Sequence, residues 1–311
     1  MSASVHNAAP RVAVLIPCYN EELTVGKVVA DVRGVLPEAT IYVYDNNSTD
    51  NTAKLAQEAG AVVVREPRQG KGNVLRSMFR QIDADCYVLI DGDDTYSVNG
   101  MQHMVERVIA HDVDMVVGDR LSSTYLKVNN RRYHNTGNLF VRFLINKLFK
   151  NSVPDIMSGY RAFSPLFVKN FPVLSRGFEI ETEMTIYALD NNFVIESIPV
   201  GYNNRPEGST SKLNTFSDGL RVVKTVFSLF VNYKPLMFFS VLSLLLLLVG
   251  LVGLVPIFAE YFATGLVPRF PTLIACGFVI LFALLLFACG LILDVVNTRH
   301  KQLVEILMNK P

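Results

Sequence analysis

The stretch VLIDGDDTYS, residues 88–97, runs four apolar residues directly into Asp91, Asp93 and Asp94. Asp and Gly are common turn residues, so an ordinary strand-to-helix loop would account for the composition. It would not account for the charge. Three carboxylates this close repel one another and raise each other's proton affinity unless a cation sits among them, and a divalent ion is the usual one. Mg2+ or Mn2+ takes oxygen ligands, one or two from protein and the rest from water and phosphate. The pattern therefore calls for a diphosphate partner.

Other polar clusters repeat the theme: PCYNEE from Pro17, DNNSTDNT from Asp45 and PRQGKGN from Pro67. Asp45 suits a ribose or base edge, as an acid does in dinucleotide folds, while Ser48 and Asp50 are expected to cap the helix that follows. The Gly70–Gly72 turn could cradle phosphate through backbone N–H groups at a helix start, with Lys71 as counter-charge, although its spacing is not that of a P-loop.

The elements that must position these residues are short β-branched runs at Arg11–Pro17, Thr40–Asp45, Ala61–Glu66, Cys86–Asp91 and Asp114–Asp119. Amphipathic segments, such as Glu22–Leu36 and Val98–His111, lie between them. Strand, helix, strand in this order predicts crossover units and a mainly parallel sheet, in which ligands bind at the carboxyl ends of the strands.

The chain has 311 residues, a formal net charge of +1 and 50% hydrophobic content, with a mean hydropathy of +0.30. That allows one large α/β domain and is too apolar for a wholly water-soluble protein. Two uncharged stretches, 235–259 and 271–293, are each long enough to cross a bilayer as a helix. Arg221, Lys224 and Lys234 precede the first, and Arg299, Lys301 and Lys310 follow the second. The positive-inside rule then puts both ends in the cytoplasm, with residues 260–270 outside and 294–311 as a cytoplasmic tail. Residues 1–10 read as a disordered N-terminus without the pattern of a signal peptide. Residues 216–234 place Phe216, Leu220, Val223, Phe227 and Phe230 at helical spacing, as in a helix lying in the bilayer interface. Packing against the catalytic domain is the alternative use of that stripe. The four cysteines, Cys18, Cys86, Cys276 and Cys289, match no zinc or disulfide spacing.

IPCYNEE, YDNNSTDNT, GKGNVLRSMF, DGDDTY, SGYRAFS, GFEIETEM and RPEGSTSKL occur in this order ahead of the two apolar stretches. Together they resemble family-2 glycosyltransferases of the polyprenyl-phosphate type, relatives of dolichyl-phosphate mannose synthase. The resemblance implies an α/β fold of GT-A type over residues 11–215. It implies that Pro17, Tyr19, Glu21 and Asp45 hold the base and ribose of a sugar nucleotide, and that Lys71 lies near the diphosphate. Asp91 and Asp93 match the family's Asp-x-Asp pair, which binds Mg2+ or Mn2+. Asn46 stands where many relatives have a second Asp, which leaves nucleobase choice open.

The same resemblance makes Arg161 and Arg205 leading candidates for the acceptor's phosphate, with Arg131 and Lys212 beside them, since a guanidinium can grip phosphate with two hydrogen bonds. Ser209, Ser211 and Lys212 could close as a loop about Gly208. In GFEIETEM, a continuous helix would put Glu179 and Glu183 on one face and Glu181 nearly opposite, so the three cannot share a site. Glu181 aligns with the catalytic base of related transferases and Glu183 with an acid more typical of the lipid-phosphate branch, and both stand as candidates.

The activity implied is inverting transfer of a hexose, UDP-glucose being the favoured donor, to undecaprenyl phosphate by an enzyme with two spans in the plasma membrane and its catalytic domain in the cytoplasm. Its expected partners are the sugar nucleotide, the lipid phosphate and the membrane, with homo-oligomerisation left open and no nucleic acid. Two other readings compete. A processive polysaccharide synthase shares the nucleotide half, but the chain has no Trp and hence no Gln-x-x-Arg-Trp motif. A membrane-anchored sugar-nucleotide sensor would use the same cleft without turnover.

Overall fold

The computed structural model describes residues 9–122, 142–143, 145–147, 152–177, 179–206, 227, 230–231 and 233–308. The chain divides into two compact units, Met1–Val223 and Lys224–Pro311.

In the first unit β1 (Val12–Cys18), α1 (Val25–Val35), β2 (Thr40–Asp45), α2 (Thr52–Glu58), β3 (Val62–Arg65), α3 (Lys71–Gln81) and β4 (Cys86–Leu89) alternate as expected. A 3-10 turn at Val98–Gly100 leads into α4 (Met101–Ile109), followed by β5 (Met115–Asp119), β6 (Arg161–Phe163), α5 (Pro165–Asn170), α6 (Ile180–Asp190) and β7 (Ile195–Pro199). The sheet runs β3-β2-β1-β4-β6-β5-β7. β6 alone is antiparallel to its neighbours, pairing Leu89 with Arg161 on one side and Val117 with Arg161 on the other.

That inversion matters for the site. The parallel strands β1, β2 and β4 deliver their carboxyl ends to one edge. An antiparallel strand delivers its amino end to the same edge, so the residues just before Arg161 arrive beside those just after Leu89. The sheet is buried because Val14, Ile16, Ile41, Val43, Val88 and Val116 meet α1 and α4 residues Val25, Val29, Met104 and Val108 in one apolar cluster. Rings of Phe163, Phe167, Phe171, Tyr187 and Phe193 pack stacked or edge-on in another.

The second unit contains α7 (Pro235–Thr264) and α8 (Phe270–Met308), each long and apolar enough to cross a membrane. Most of their large apolar side chains point outward, and Ser243 Oγ donates to Ala283 O across the pair at 2.7 Å. The helices run past residues 259 and 293, the ends that hydropathy suggests. Backbone hydrogen bonding does not stop where apolarity does, and α7 closes on Gly265 in the left-handed region (φ 69°). Glu260 and Arg269, the acid and base of the short connection, pair at 2.7 Å. Of the segment 216–234, the described Phe227 and Phe230 put their rings edge-on against Phe238, and the remainder lies largely outside the described residues. Cys18, Cys86 and Cys276 are buried and Cys289 is exposed.

Candidate active site

Lys71, the first residue of α3, projects its ammonium between two acids. Its Nζ donates to Asp91 Oδ1 at 2.6 Å and to Glu181 Oε1 at 2.6 Å. The side chain is only 7% exposed. Burial by itself would lower the ammonium's pKa, but the two carboxylates outweigh it and hold Lys71 above the ordinary lysine range. Burial raises the Glu181 carboxyl, with the Lys71 charge opposing it.

Asp93 has a separate partner. Its Oδ2 accepts from Arg205 Nη2, and its Oδ1 accepts from Thr95 Oγ1 at 2.6 Å and Thr95 N at 3.2 Å. Burial first and the neighbouring Asp91 charge second raise this carboxyl, against Arg205 and Thr95. Arg205 Nη1 also lies 3.9 Å from Glu21 Oε1. Asp94, the third acid of the loop, turns away with φ 57° to pair with Lys27 at 2.7 Å. Among the described residues no group of three or more His, Cys, Asp or Glu is placed to hold a metal. Asp91 and Asp93 bring carboxylate oxygens to the same edge, and Asp91 is the second cause, after burial, of the raised Asp93 carboxyl. That donor set fits a hard divalent cation completed by water and phosphate.

Pro17, Tyr19 and Glu21 lie at and beyond the end of β1, and Asp45 ends β2 in register with Cys18. The two loops are tied together. Asn20 N donates to Ser48 Oγ at 2.9 Å, Glu21 N to Thr52 Oγ1 at 2.8 Å, and Thr49 N to Asn20 Oδ1 at 2.8 Å. Asp45 Oδ1 accepts from Ser48 N at 3.2 Å. Ser48 is therefore no helix cap, since its hydroxyl joins the β1 and β2 loops. Asp50 lies one residue before the N-cap position, Asn51, and accepts from Thr52 N at 3.0 Å at the start of α2.

Three expectations are corrected. Arg161 cannot meet an acceptor: it is fully buried and donates to Ser158 O, Ile156 O, Glu181 O and Thr185 Oγ1 at 2.7–3.0 Å. Burial pulls its pKa down to about 10, with Glu181 and Asp155 opposing. Glu183 belongs to the scaffold, its oxygens accepting from Leu174 N at 3.0 Å and Ser175 N at 2.8 Å. α6 starts at Ile180, so Glu181 and Glu183 diverge as helical spacing demands. The glycine turn is not a phosphate cradle, because Gly70 N donates to Asn46 Oδ1 at 2.7 Å and Gly72 N to Arg176 O at 3.1 Å. A Cβ on either glycine would collide with the backbone oxygen of Arg176 or Ser175. Arg131, Arg132, Gly208, Ser209, Ser211 and Lys212 lie outside the described residues.

Two residues that the sequence reading did not assign complete the site. Asn46 donates through Nδ2 to Glu66 O at 2.9 Å and Arg68 O at 2.8 Å while its Oδ1 receives Gly70 N, so the amide wires the β2 end to the Lys71 turn. An Asp could not make those donations, and its replacement by Asn was the signal available. At Gly159 a Cβ would collide with Asp91 Oδ2 and approach Lys71 Nζ to 3.0 Å, and its N–H donates to Tyr96 OH at 2.9 Å. Its place inside SGYRAFS was the one hint.

The fold and this cluster of acids and counter-cations at the carboxyl edge define a GT-A-type transferase domain. Consistent with that, the solved structure of glucosyl-3-phosphoglycerate synthase from Mycobacterium tuberculosis, in complex with Mn2+, uridine-diphosphate and glucosyl-3-phosphoglycerate, superposes with a TM-score of 0.56 at 20% identity, covering 71% of this chain and 80% of that one. The family description Glycosyl transferase family 2 matches residues 13–169. Glycosyltransferase AglJ of Haloferax volcanii is 31% identical over 230 residues, 74% of this chain and 75% of its own length. A dolichyl-phosphate hexose transferase of the same organism is 26% identical over 214 residues, 69% of this chain and 91% of its own. The chain belongs to glycosyltransferase family 2 and is an enzyme of that class.

Proposed function

We propose that the enzyme moves a hexose, with inversion, from a sugar nucleotide of the UDP-glucose kind to a polyprenyl phosphate such as undecaprenyl phosphate at the cytoplasmic face of the plasma membrane. The observation that carries this reading is the assignment of charges at the carboxyl edge. Glu181 is committed through Oε1 to Lys71 and Asp91 is bound by the same ammonium, while Asp93 is matched by Arg205. A site arranged this way offers electrostatic positioning ahead of a free general base.

A phosphate acceptor suits it. The second pKa of a phosphate monoester is about 6, so the attacking oxygen is largely anionic at neutral pH before it enters. A sugar hydroxyl would need deprotonation. On this reading, Asp91 and Asp93 would hold a divalent cation, which when bound would supply positive charge to the departing nucleoside diphosphate. Lys71 fixes Asp91 and Glu181 in place and adds positive charge beside the diphosphate, and Arg205 becomes available to the acceptor phosphate. Glu21 and Asp45 take the ribose side at the ends of β1 and β2. Further support comes from the relative named as a dolichyl-phosphate hexose transferase and from the UDP held by the solved neighbour. Helices α7 and α8 suit an enzyme whose acceptor is a membrane lipid. We assign residues 11–215 to catalysis, 216–234 to the bilayer interface and α7 and α8 to two spans with both ends in the cytoplasm.

The experiment is transfer by the purified full-length protein in nanodiscs, with a panel of radiolabelled sugar nucleotides, undecaprenyl phosphate and Mn2+. The expected product is a chelator-sensitive, mild-acid-labile glycosyl lipid phosphate formed from a hexose donor. Transfer only to sugar hydroxyls, or turnover indifferent to chelators, refutes the reading.

A further inference from the structure

The two cations that neutralise the acid cluster are held very differently. Lys71 is almost wholly buried, bonded to two acids and seated at a helix start whose backbone is locked by Asn46 and Arg176. Arg205 is 27% exposed at the side chain and extends from the loop after β7. The backbone of that loop is itself anchored, with Ser97 N donating to Gly201 O at 3.0 Å and Asn203 N to Thr95 O at 2.8 Å. The guanidinium can therefore leave Asp93 by side-chain rotation while the loop stays docked.

Its present position conflicts with the proposed metal chemistry. Both oxygens of Asp93 are engaged, Oδ1 by Thr95 and Oδ2 by Arg205, and Glu21 on the nucleotide side faces the same guanidinium. A cation or a donor arriving at this edge must compete with Arg205 for the acids it needs. Resting on the function proposed above, we infer that Arg205 is a stand-in for the divalent cation: its guanidinium neutralises Asp93 and is displaced from it by metal and donor diphosphate. Displacement from Asp93 makes the same guanidinium available to the phosphate acceptor.

The test is Mn2+ binding, followed by electron paramagnetic resonance on the full-length protein in detergent, without nucleotide or lipid. The variants are Arg205→Gln, Asp93→Asn and Lys27→Gln, the last removing a nearby charge that pairs with Asp94 and Asp31 and not with Asp93. Competition at one carboxylate predicts that Arg205→Gln binds Mn2+ roughly tenfold tighter or more, whereas Lys27→Gln shifts the constant by about twofold at most, a screened surface effect. Asp93→Asn should lose most of the affinity. If Asp93→Asn weakens binding but Arg205→Gln does not tighten it, or tightens it no more than Lys27→Gln, the stand-in role is overturned and the metal site survives. If Asp93→Asn binds like the wild type, the metal assignment fails and the stand-in role falls with it.

Discussion

Lys71 Nζ and Glu181 Oε1 are separated by 110 positions in the chain and by 2.6 Å in space. The other carboxylate oxygen, Glu181 Oε2, is buried without a hydrogen-bond partner among the described residues. The acid that sequence alignment offers as a base is thus also the counter-charge that keeps a buried ammonium in place.

Replacing Lys71 by Met should strip both Asp91 and Glu181 of their cation. Leaving a buried charge uncompensated costs about 3–5 kcal/mol. The expected outcome is a lower melting temperature together with loss of transfer, read by differential scanning fluorimetry and a glycolipid assay on the same preparation. A variant of wild-type stability would contradict the buried triad.

Asp93→Ala and Glu181→Gln separate metal binding from base catalysis. The first removes a carboxylate that the proposal assigns to the metal and should abolish transfer. The second keeps an oxygen acceptor for Lys71 and should retain appreciable turnover, because a phosphate acceptor brings its own anionic oxygen. Equal inactivity of the two variants would mean that Glu181 takes a proton and that the acceptor argument is wrong.

Asn46→Asp exchanges a two-way amide for an acceptor-only group facing Glu66 O and Arg68 O. Unmet carbonyl acceptors and the added repulsion should destabilise the protein by about 1–3 kcal/mol. The Lys71 turn is tied to the same side chain, so KM for the sugar nucleotide should rise as well. Steady-state kinetics with donor as the varied substrate decide this, and an unchanged KM would disconnect Asn46 from the turn.

Glu66 provides the pH test. Hydrogen bonds from Arg68 first and Ser77 next, against burial, pull its carboxyl from 4.5 to about 2. A depressed acid stabilises the fold fully above its unfolded value and loses that contribution as pH falls from about 4.5 towards about 2. Glu66→Gln should therefore be less stable than wild type at pH 7 and show a shallower loss of stability on acidification. Denaturation midpoints for the two proteins that decline in parallel across this range would exclude the pairing.

Much of the fold was legible because the strands are short β-branched runs ending in polar clusters, and both signals are local. β2 begins and ends where its sequence pattern does. The carboxyl edge of the sheet followed from the order of strands and helices, and the Asp-x-Asp loop from its own residues and the family resemblance. β6 was harder: RAF is three residues long, and nothing in its composition says that it enters antiparallel between β4 and β5. Arg161 shows the cost of that gap. It reads as a free cation in a family motif, whereas the strand inversion drives it into the core, where backbone carbonyls take its guanidinium. Asn46 and Gly159 were visible only as a departure and as a motif member, since their roles depend on partners remote in the chain.

The order of elements, the two apolar helices and the acids at the carboxyl edge were written into this sequence, because residues adjacent in the chain settle periodicity, turn chemistry and hydropathy. The choice of cation for each acid, Lys71 for Asp91 and Glu181 but Arg205 for Asp93, was made by tertiary structure. Such pairings depend on a few ångströms of approach between distant segments and on how much water burial removes.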